Sequence, residues 1–179
     1  FACDDRKAMI LCVFLLVVIG LFSVQTALLD IFSLGGVTPD LALIFAVYCG
    51  VHFQRNGGIG AGIIIGFVQD CLSGGLLGIN TLSKGLAGLF FSVLKDKIVV
   101  EGFIPISFFL FTASLLDGMI YFVISTSLTA AQAKEGILLF HMFAFGIYNS
   151  AAGLLLFYLL DKGRQWINHK IPNQILRPL

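Results

Sequence analysis

Long apolar segments that are almost free of charge most constrain how this chain can fold. Of its 179 residues, 58% are hydrophobic and only 12% are charged. A soluble domain carries roughly 25% charged residues, which keep its surface in water. Half that share leaves too little polar surface to cover a water-exposed globule. The composition therefore predicts an all-α integral membrane protein, because helices satisfy their own backbone hydrogen bonds in lipid.

Six apolar segments are predicted to cross the membrane as a compact helical bundle. A spanning helix needs about 20 apolar residues to cross about 30 Å of hydrocarbon. The first, fifth and sixth segments reach that length. The three shorter ones indicate a thinned bilayer, helices that extend into their loops, or a re-entrant hairpin shielded by protein. The segments are residues 8–29, 40–53, 58–72, 79–94, 103–124 and 137–160, followed by a basic C-terminal tail at 161–179.

The lysines and arginines predict the orientation of this bundle. With six helices, nine of the eleven fall on one side, and cytoplasmic loops carry an excess of these residues. Both termini are therefore expected in the cytoplasm. The tail is interpreted either as an interfacial anchor or as a docking segment for a cytoplasmic partner. The nine are Arg6, Lys7, Arg55, Lys95, Lys97, Lys162, Arg164, Lys170 and Arg177.

Glycines on one face of the third segment predict a close helix contact. Gly58, Gly62 and Gly66 stand four residues apart, and Asp70 continues the row. This spacing lets another helix approach backbone to backbone, either within the chain or in a partner. The third and fourth segments are expected to form one helical hairpin, because a glycine-rich turn at 73–78 separates them.

Three ionisable residues, Asp70, Lys84 and Asp117, fall within the apolar segments. Such groups are expensive in hydrocarbon and need partners. In an antiparallel hairpin Asp70 and Lys84 lie at similar depth, and Asp117 is expected near the same level. One interpretation is a cluster in which Lys84 compensates one or both carboxylates. The other is that each side chain snorkels, or lines a polar crevice, near the headgroups.

Sequence patterns of catalysis and metal binding are missing from the chain. The two acids lack the flanking residues of intramembrane aspartyl proteases, and no HExxH, Ser-His pairing or phosphate-binding glycine loop is found. The four cysteines are scattered without CxxC spacing, so no metal or cofactor is expected. A net charge of +1 gives no reason to expect a nucleic-acid partner. The sequence therefore predicts a non-enzymatic protein.

The stretch from 25 to 80 carries a motif with a D-x-x-S-G-x-x-x-G-x-N core. It is preceded by Gln25-Thr26 and by Thr38-Pro39-Asp40-Leu41, and the core residues are Asp70, Ser73, Gly74, Gly78 and Asn80. In these residues the chain resembles the family of the rod shape-determining protein MreD.

Each motif residue also has a structural interpretation. Pro39 suits the first turn of a helix, and Asp40 complements the positive end of that helix's dipole. Ser73, with the glycines after it, allows a tight outer turn. Asn80 is expected to cap the fourth helix. Contact with a partner is the alternative role for these residues.

The resemblance implies a function and a fold. MreD proteins act with MreC, the actin-like MreB, the glycosyltransferase RodA and a class B penicillin-binding transpeptidase in lateral peptidoglycan synthesis. It therefore implies a scaffold subunit of this rod complex, or elongasome, in the inner membrane. The family is also similar to the six-helix S-components of ECF vitamin transporters. That similarity implies an S-component-like fold and an alternative function, a small-solute-binding or transport subunit.

Overall fold

The computed structural model describes residues 15–25, 37–74, 77–95, 102–129 and 135–170. These residues form six helices and no strand. Two stretches, Phe103–Ile124 and His141–Gln165, are long and apolar enough to cross a membrane; spans for the other helices stay a prediction. The helices are α1 (Leu15–Gln25), α2 (Leu41–His52), α3 (Arg55–Ser73), α4 (Ile79–Leu94), α5 (Phe103–Thr129) and α6 (Glu135–Lys170).

Helix α2 is the centre of the bundle. Every residue from Ala42 to Gly50 is buried, and the helix contacts α3, α4, α5 and α6. A helix that is apolar on all sides belongs in a core. Its 12 residues extend about 18 Å, and because protein rather than lipid surrounds them, the helix can be shorter than the bilayer is thick.

Helices α3 and α4 pack antiparallel through their glycines. A Cβ added at Gly62 would lie 2.3 Å from the carbonyl oxygen of Lys84, and one at Gly66 would lie 2.3 Å from that of Asn80. A Cβ added at Gly88 would lie 2.4 Å from the carbonyl oxygen of Gly58. The glycine row of α3 thus contacts α4 within the chain, one of the two arrangements that its spacing allowed.

The turn between these helices begins and ends on glycines in the left-handed region. Gly74 has φ 62° and Gly78 has φ 103°, values that side chains with a Cβ rarely adopt. The two residues between Gly74 and Leu77 lie outside the described part of the chain. The positive φ values therefore account for glycine at both positions without a role in binding.

Helix α6 packs on α5 and runs further than the sixth apolar segment. Side chains of α5 enter gaps at glycines of α6, so that a Cβ at Gly153 would lie 2.3 Å from Leu110 Cδ1. The helix then continues through Lys170, into the stretch predicted as the tail.

A second group of polar residues connects the C-terminal end of α2 to α6. The Tyr48 hydroxyl donates to Asp161 Oδ1 at 3.0 Å, and His52 Nε2 lies 3.3 Å from the same oxygen. The rings of Tyr48 and His52 stack with their centroids 4.1 Å apart. Both ends of the central helix are therefore held by polar contacts to α6, because Asn149 binds the other end as described below.

Candidate functional site

Lys84 lies at the centre of a buried polar cluster. It projects from the first turns of α4 and is 0% exposed. Its Nζ lies 2.9 Å from Asp40 Oδ2 and 3.2 Å from Asp117 Oδ1, and it donates to Asn80 Oδ1 at 2.8 Å. An ammonium group has three donors, and here all three find acceptors on α2, α4 and α5.

Asp40 holds the start of α2 in the cluster. It is the N-cap of that helix, and its Oδ1 accepts from the Leu43 backbone N–H at 3.0 Å. The second oxygen, which binds Lys84, also accepts from Gln69 Nε2 at 3.3 Å. The cap agrees with the predicted role of Asp40, but because α2 begins at Leu41, Pro39 precedes the cap and does not lie in the first turn.

Asp117 brings α5 into the cluster from the middle of that helix. Its Oδ1 accepts from the Ser83 hydroxyl and from Lys84 Nζ. The side chain is 14% exposed, compared with 1% for Lys84. The interpretation in which Lys84 compensates a carboxylate therefore holds for Asp117.

Asp70 lies outside the ion-pair cluster and caps α4. Its Oδ1 accepts from the backbone N–H and side-chain Nδ2 of Asn80, each at 3.0 Å. Its Oδ2 accepts from the backbone N–H groups of Gly78 and Thr81, each at 2.9 Å, and from the Thr81 hydroxyl at 2.6 Å. A carboxylate at the positive end of a helix satisfies otherwise unpaired N–H groups, so Asp70 needs no lysine.

Of the two carboxylates that Lys84 was expected to compensate, singly or together, it pairs with Asp117, and its second partner is Asp40 rather than Asp70. One expectation is wrong: Asn80 does not cap α4, because the N-cap residue is Gly78, which has no side chain to do so. Asn80 instead links the two groups of contacts, donating to Asp70 and accepting from Lys84.

Sequence reasoning missed the part of the network that lies in α5 and α6. Asn149 Oδ1 accepts from the backbone N–H of Asp40 at 2.8 Å, and its Nδ2 donates to Ser114 Oγ at 2.9 Å. Asn149 and Ser114 are both 0% exposed. Extending the search for intramembrane polar groups from charged residues to amides would have found Asn149.

The arrangement joins helices rather than forming an open reactive site. Lys84 and Asp40 have partners on five helices between them, α2 to α6, and a buried ion pair is stable only with such additional hydrogen bonds. Within the described residues no group of three or more His, Cys, Asp or Glu side chains could hold a metal ion. The other predicted site residues lie away from the ion pairs. The turn after α3 contains Ser73, Gly74 and Gly78. The backbone contact with α4 contains Gly58, Gly62 and Gly66.

Comparison with known proteins identifies the family. No curated protein and no solved structure is similar enough to this chain to count as a match, so an S-component-like fold stays a prediction. The model of the family described as "rod shape-determining protein MreD" matches residues 5–162. Because this match covers most of the chain, the chain belongs to the MreD family.

Proposed function

We propose that this chain is a non-enzymatic scaffold subunit of the bacterial rod complex. It directs lateral peptidoglycan synthesis, and so cell shape, by holding MreC in the inner membrane. Through MreC it acts with MreB, RodA and a class B penicillin-binding transpeptidase. Its six helices cross the membrane with both termini in the cytoplasm, as the distribution of lysine and arginine indicates. Membership of the MreD family is the observation that carries this proposal.

The contacts of the buried ionisable groups support a scaffold rather than a catalyst. Lys84 is fully buried and pairs with acceptors on three helices, and Asp70 accepts five hydrogen bonds from the start of α4. Catalytic acids and bases need access to a substrate. These side chains instead stabilise one arrangement of the helices, which a subunit that positions other proteins requires.

The alternative, a solute-binding or transport subunit, is favoured by one observation. An open groove of about 490 Å³ lies between α4 and α5, and small-molecule sites commonly measure about 300–1,000 Å³. The groove is lined mainly by apolar side chains, however, and is open on one side. A water-soluble vitamin would need more polar partners than these helices offer there.

Affinity purification of the tagged chain from its native membrane, followed by mass spectrometry, separates the two functions. The scaffold proposal predicts recovery of MreC together with the peptidoglycan synthases. Recovery of a pair of ATPases and a membrane coupling subunit would instead establish the transport function. Membranes that express the untagged chain provide the background, and the Lys84→Met variant, in which the cluster is broken, shows which partners need the folded bundle.

A further inference from the structure

The face of α4 that turns away from α3 forms an apolar groove with α5. Its walls are side chains such as Leu86 and Phe90, each 44% exposed, and Leu116, 38% exposed. Lipid covers exposed apolar side chains on any membrane helix, so these residues alone do not specify what binds in the groove. The polar atoms at the edge of the groove indicate which kind of group binds there.

Asp117 offers a carboxylate oxygen to this groove. Both of its hydrogen bonds, from Ser83 and from Lys84, reach Oδ1. Among the described residues no donor reaches Oδ2. The Asp117 side chain is 14% exposed and lines the groove, so a group bound in the groove can reach this carboxylate. A carboxylate oxygen without a donor is costly in an apolar environment.

The charges of the cluster point to the nature of the missing group. Asp40 and Asp117 share Lys84 as their partner cation, and no other cation among the described residues pairs with either carboxylate. Two negative charges thus face one positive charge. A further lysine or arginine would balance the cluster and supply a donor to Oδ2, for which the described residues offer none.

The position of Asp117 along the apolar part of α5 favours a protein side chain over a lipid headgroup as that donor. The residue lies about 10 Å inside the nearer end of the apolar stretch Phe103–Ile124, at 1.5 Å per residue. A hydrogen bond requires atoms about 3 Å apart, and headgroups are expected beyond the ends of an apolar spanning stretch. A donor at this depth has to be carried into the membrane by a protein helix.

We propose that the α4–α5 groove binds one transmembrane helix of a partner protein. Its apolar face covers Leu86, Phe90 and Leu116, and a lysine or arginine within the helix binds Asp117 Oδ2. This inference deepens the scaffold function and rests on it for the class of partner, a membrane-anchored protein.

Photo-crosslinking in native membranes tests the occupant directly. p-Benzoylphenylalanine replaces Phe90 in the groove or, as a matched control, Phe67 on α3, which is 52% exposed. We expect light to join position 90, but not 67, to an apolar segment of another protein, with a lysine or arginine in that segment identified by mass spectrometry. Adducts of position 90 with lipid alone, with a second copy of this chain, or with a segment lacking such a residue would each overturn the proposal.

The Asp117→Asn variant tests the charge. It should lower the crosslink yield from position 90 roughly tenfold, the order expected when one strong interhelical contact is lost. If this variant fails to fold, Leu86→Trp fills the groove without touching the cluster and should also lower the yield. Unchanged yields in a folded Asp117→Asn or Leu86→Trp variant would contradict the proposal.

The outcome for this groove is separable from that for the scaffold function. Co-purification of MreC and the synthases with only lipid crosslinked at position 90 would remove the groove proposal and leave the scaffold intact. A crosslinked transmembrane segment from a protein outside the rod complex would support the groove and contradict the scaffold function.

Discussion

The face of α4 that packs on α3 and the face that packs on α5 differ in how closely their atoms are packed and in how fully their carboxylates are hydrogen-bonded. Towards α3, backbone lies on backbone at the glycines, and every oxygen of Asp70 accepts hydrogen bonds from the start of α4. Towards α5, side chains leave a groove, and Asp117 binds through one oxygen. The contrast indicates that the first face stabilises the fold and that the second is available to a partner. Substitutions on the two faces should therefore have different consequences.

Replacing Lys84 is expected to have the largest effect on stability. Lys84 pairs with Asp117 on α5 and donates to Asn80, which in turn binds Asp70 on α3. Lys84→Met leaves Asp40 and Asp117 together without a cation, and breaking a buried ion pair on one side costs about 3–5 kcal/mol. Thermal unfolding in detergent should show a large loss. Lys162→Met, at an exposed position on α6, is the control and should change stability by less than about 1 kcal/mol. Equal losses in the two variants would contradict the central role of Lys84.

The α3 face should tolerate no added methyl group at its closest contact. A Cβ at Gly66 would lie 2.3 Å from the Asn80 carbonyl oxygen and 2.6 Å from Thr81 Cα, so Gly66→Ala forces the helices apart at a cost of about 1–3 kcal/mol. Gly60, on the same helix, has no atom within 4 Å of an added Cβ. Gly60→Ala should therefore be neutral or stabilise by about 0.5–1 kcal/mol. Equal unfolding temperatures would show that α3 and α4 are not in backbone contact.

Loss of the Asp70 cap should be smaller but measurable. Asp70→Asn keeps one oxygen and turns an amide towards N–H groups that need an acceptor, and loss of a cap costs about 0.5–2 kcal/mol. The neighbouring Cys71 is exposed, so Cys71→Ser is a control that should leave the unfolding temperature unchanged. Stability of Asp70→Asn equal to that of the wild-type chain would mean that the five hydrogen bonds are not formed in the membrane.

Local spacing predicted the α3–α4 hairpin well. The row of Gly58, Gly62 and Gly66 is a property of one helix, and the turn residues that follow it limit where the next helix can lie. Which helix the row contacts could not be read from its spacing, because a partner's helix would satisfy it equally well. Gly88 completes the contact from α4, but α4 has no row of glycines four residues apart that would have given a comparable signal.

The partners of the buried charges were harder to predict, because they depend on contacts between distant segments. Asp40 gave the signal of a helix cap, and the sequence did not indicate that α2 begins inside the bundle, beside Lys84. Asp70 was expected near Lys84 because the two residues lie at a similar depth in the predicted hairpin. In the structure Asp70 accepts hydrogen bonds from the backbone N–H groups at the start of α4 instead. Asn149 is neutral, so a search restricted to charges passed over it.

The central claim is that the α3 face of α4 holds the fold and the α5 face binds a partner. Purifying the folded fractions of Asp70→Asn and Asp117→Asn from native membranes, and measuring both the unfolding temperature and the co-purified partner per folded chain, tests it most directly. We predict that Asp70→Asn lowers the unfolding temperature and keeps the partner. Asp117→Asn should shift the unfolding temperature little, because Lys84 retains Asp40, and should lose most of the partner. Parallel losses of stability and partner in both variants would contradict the claim.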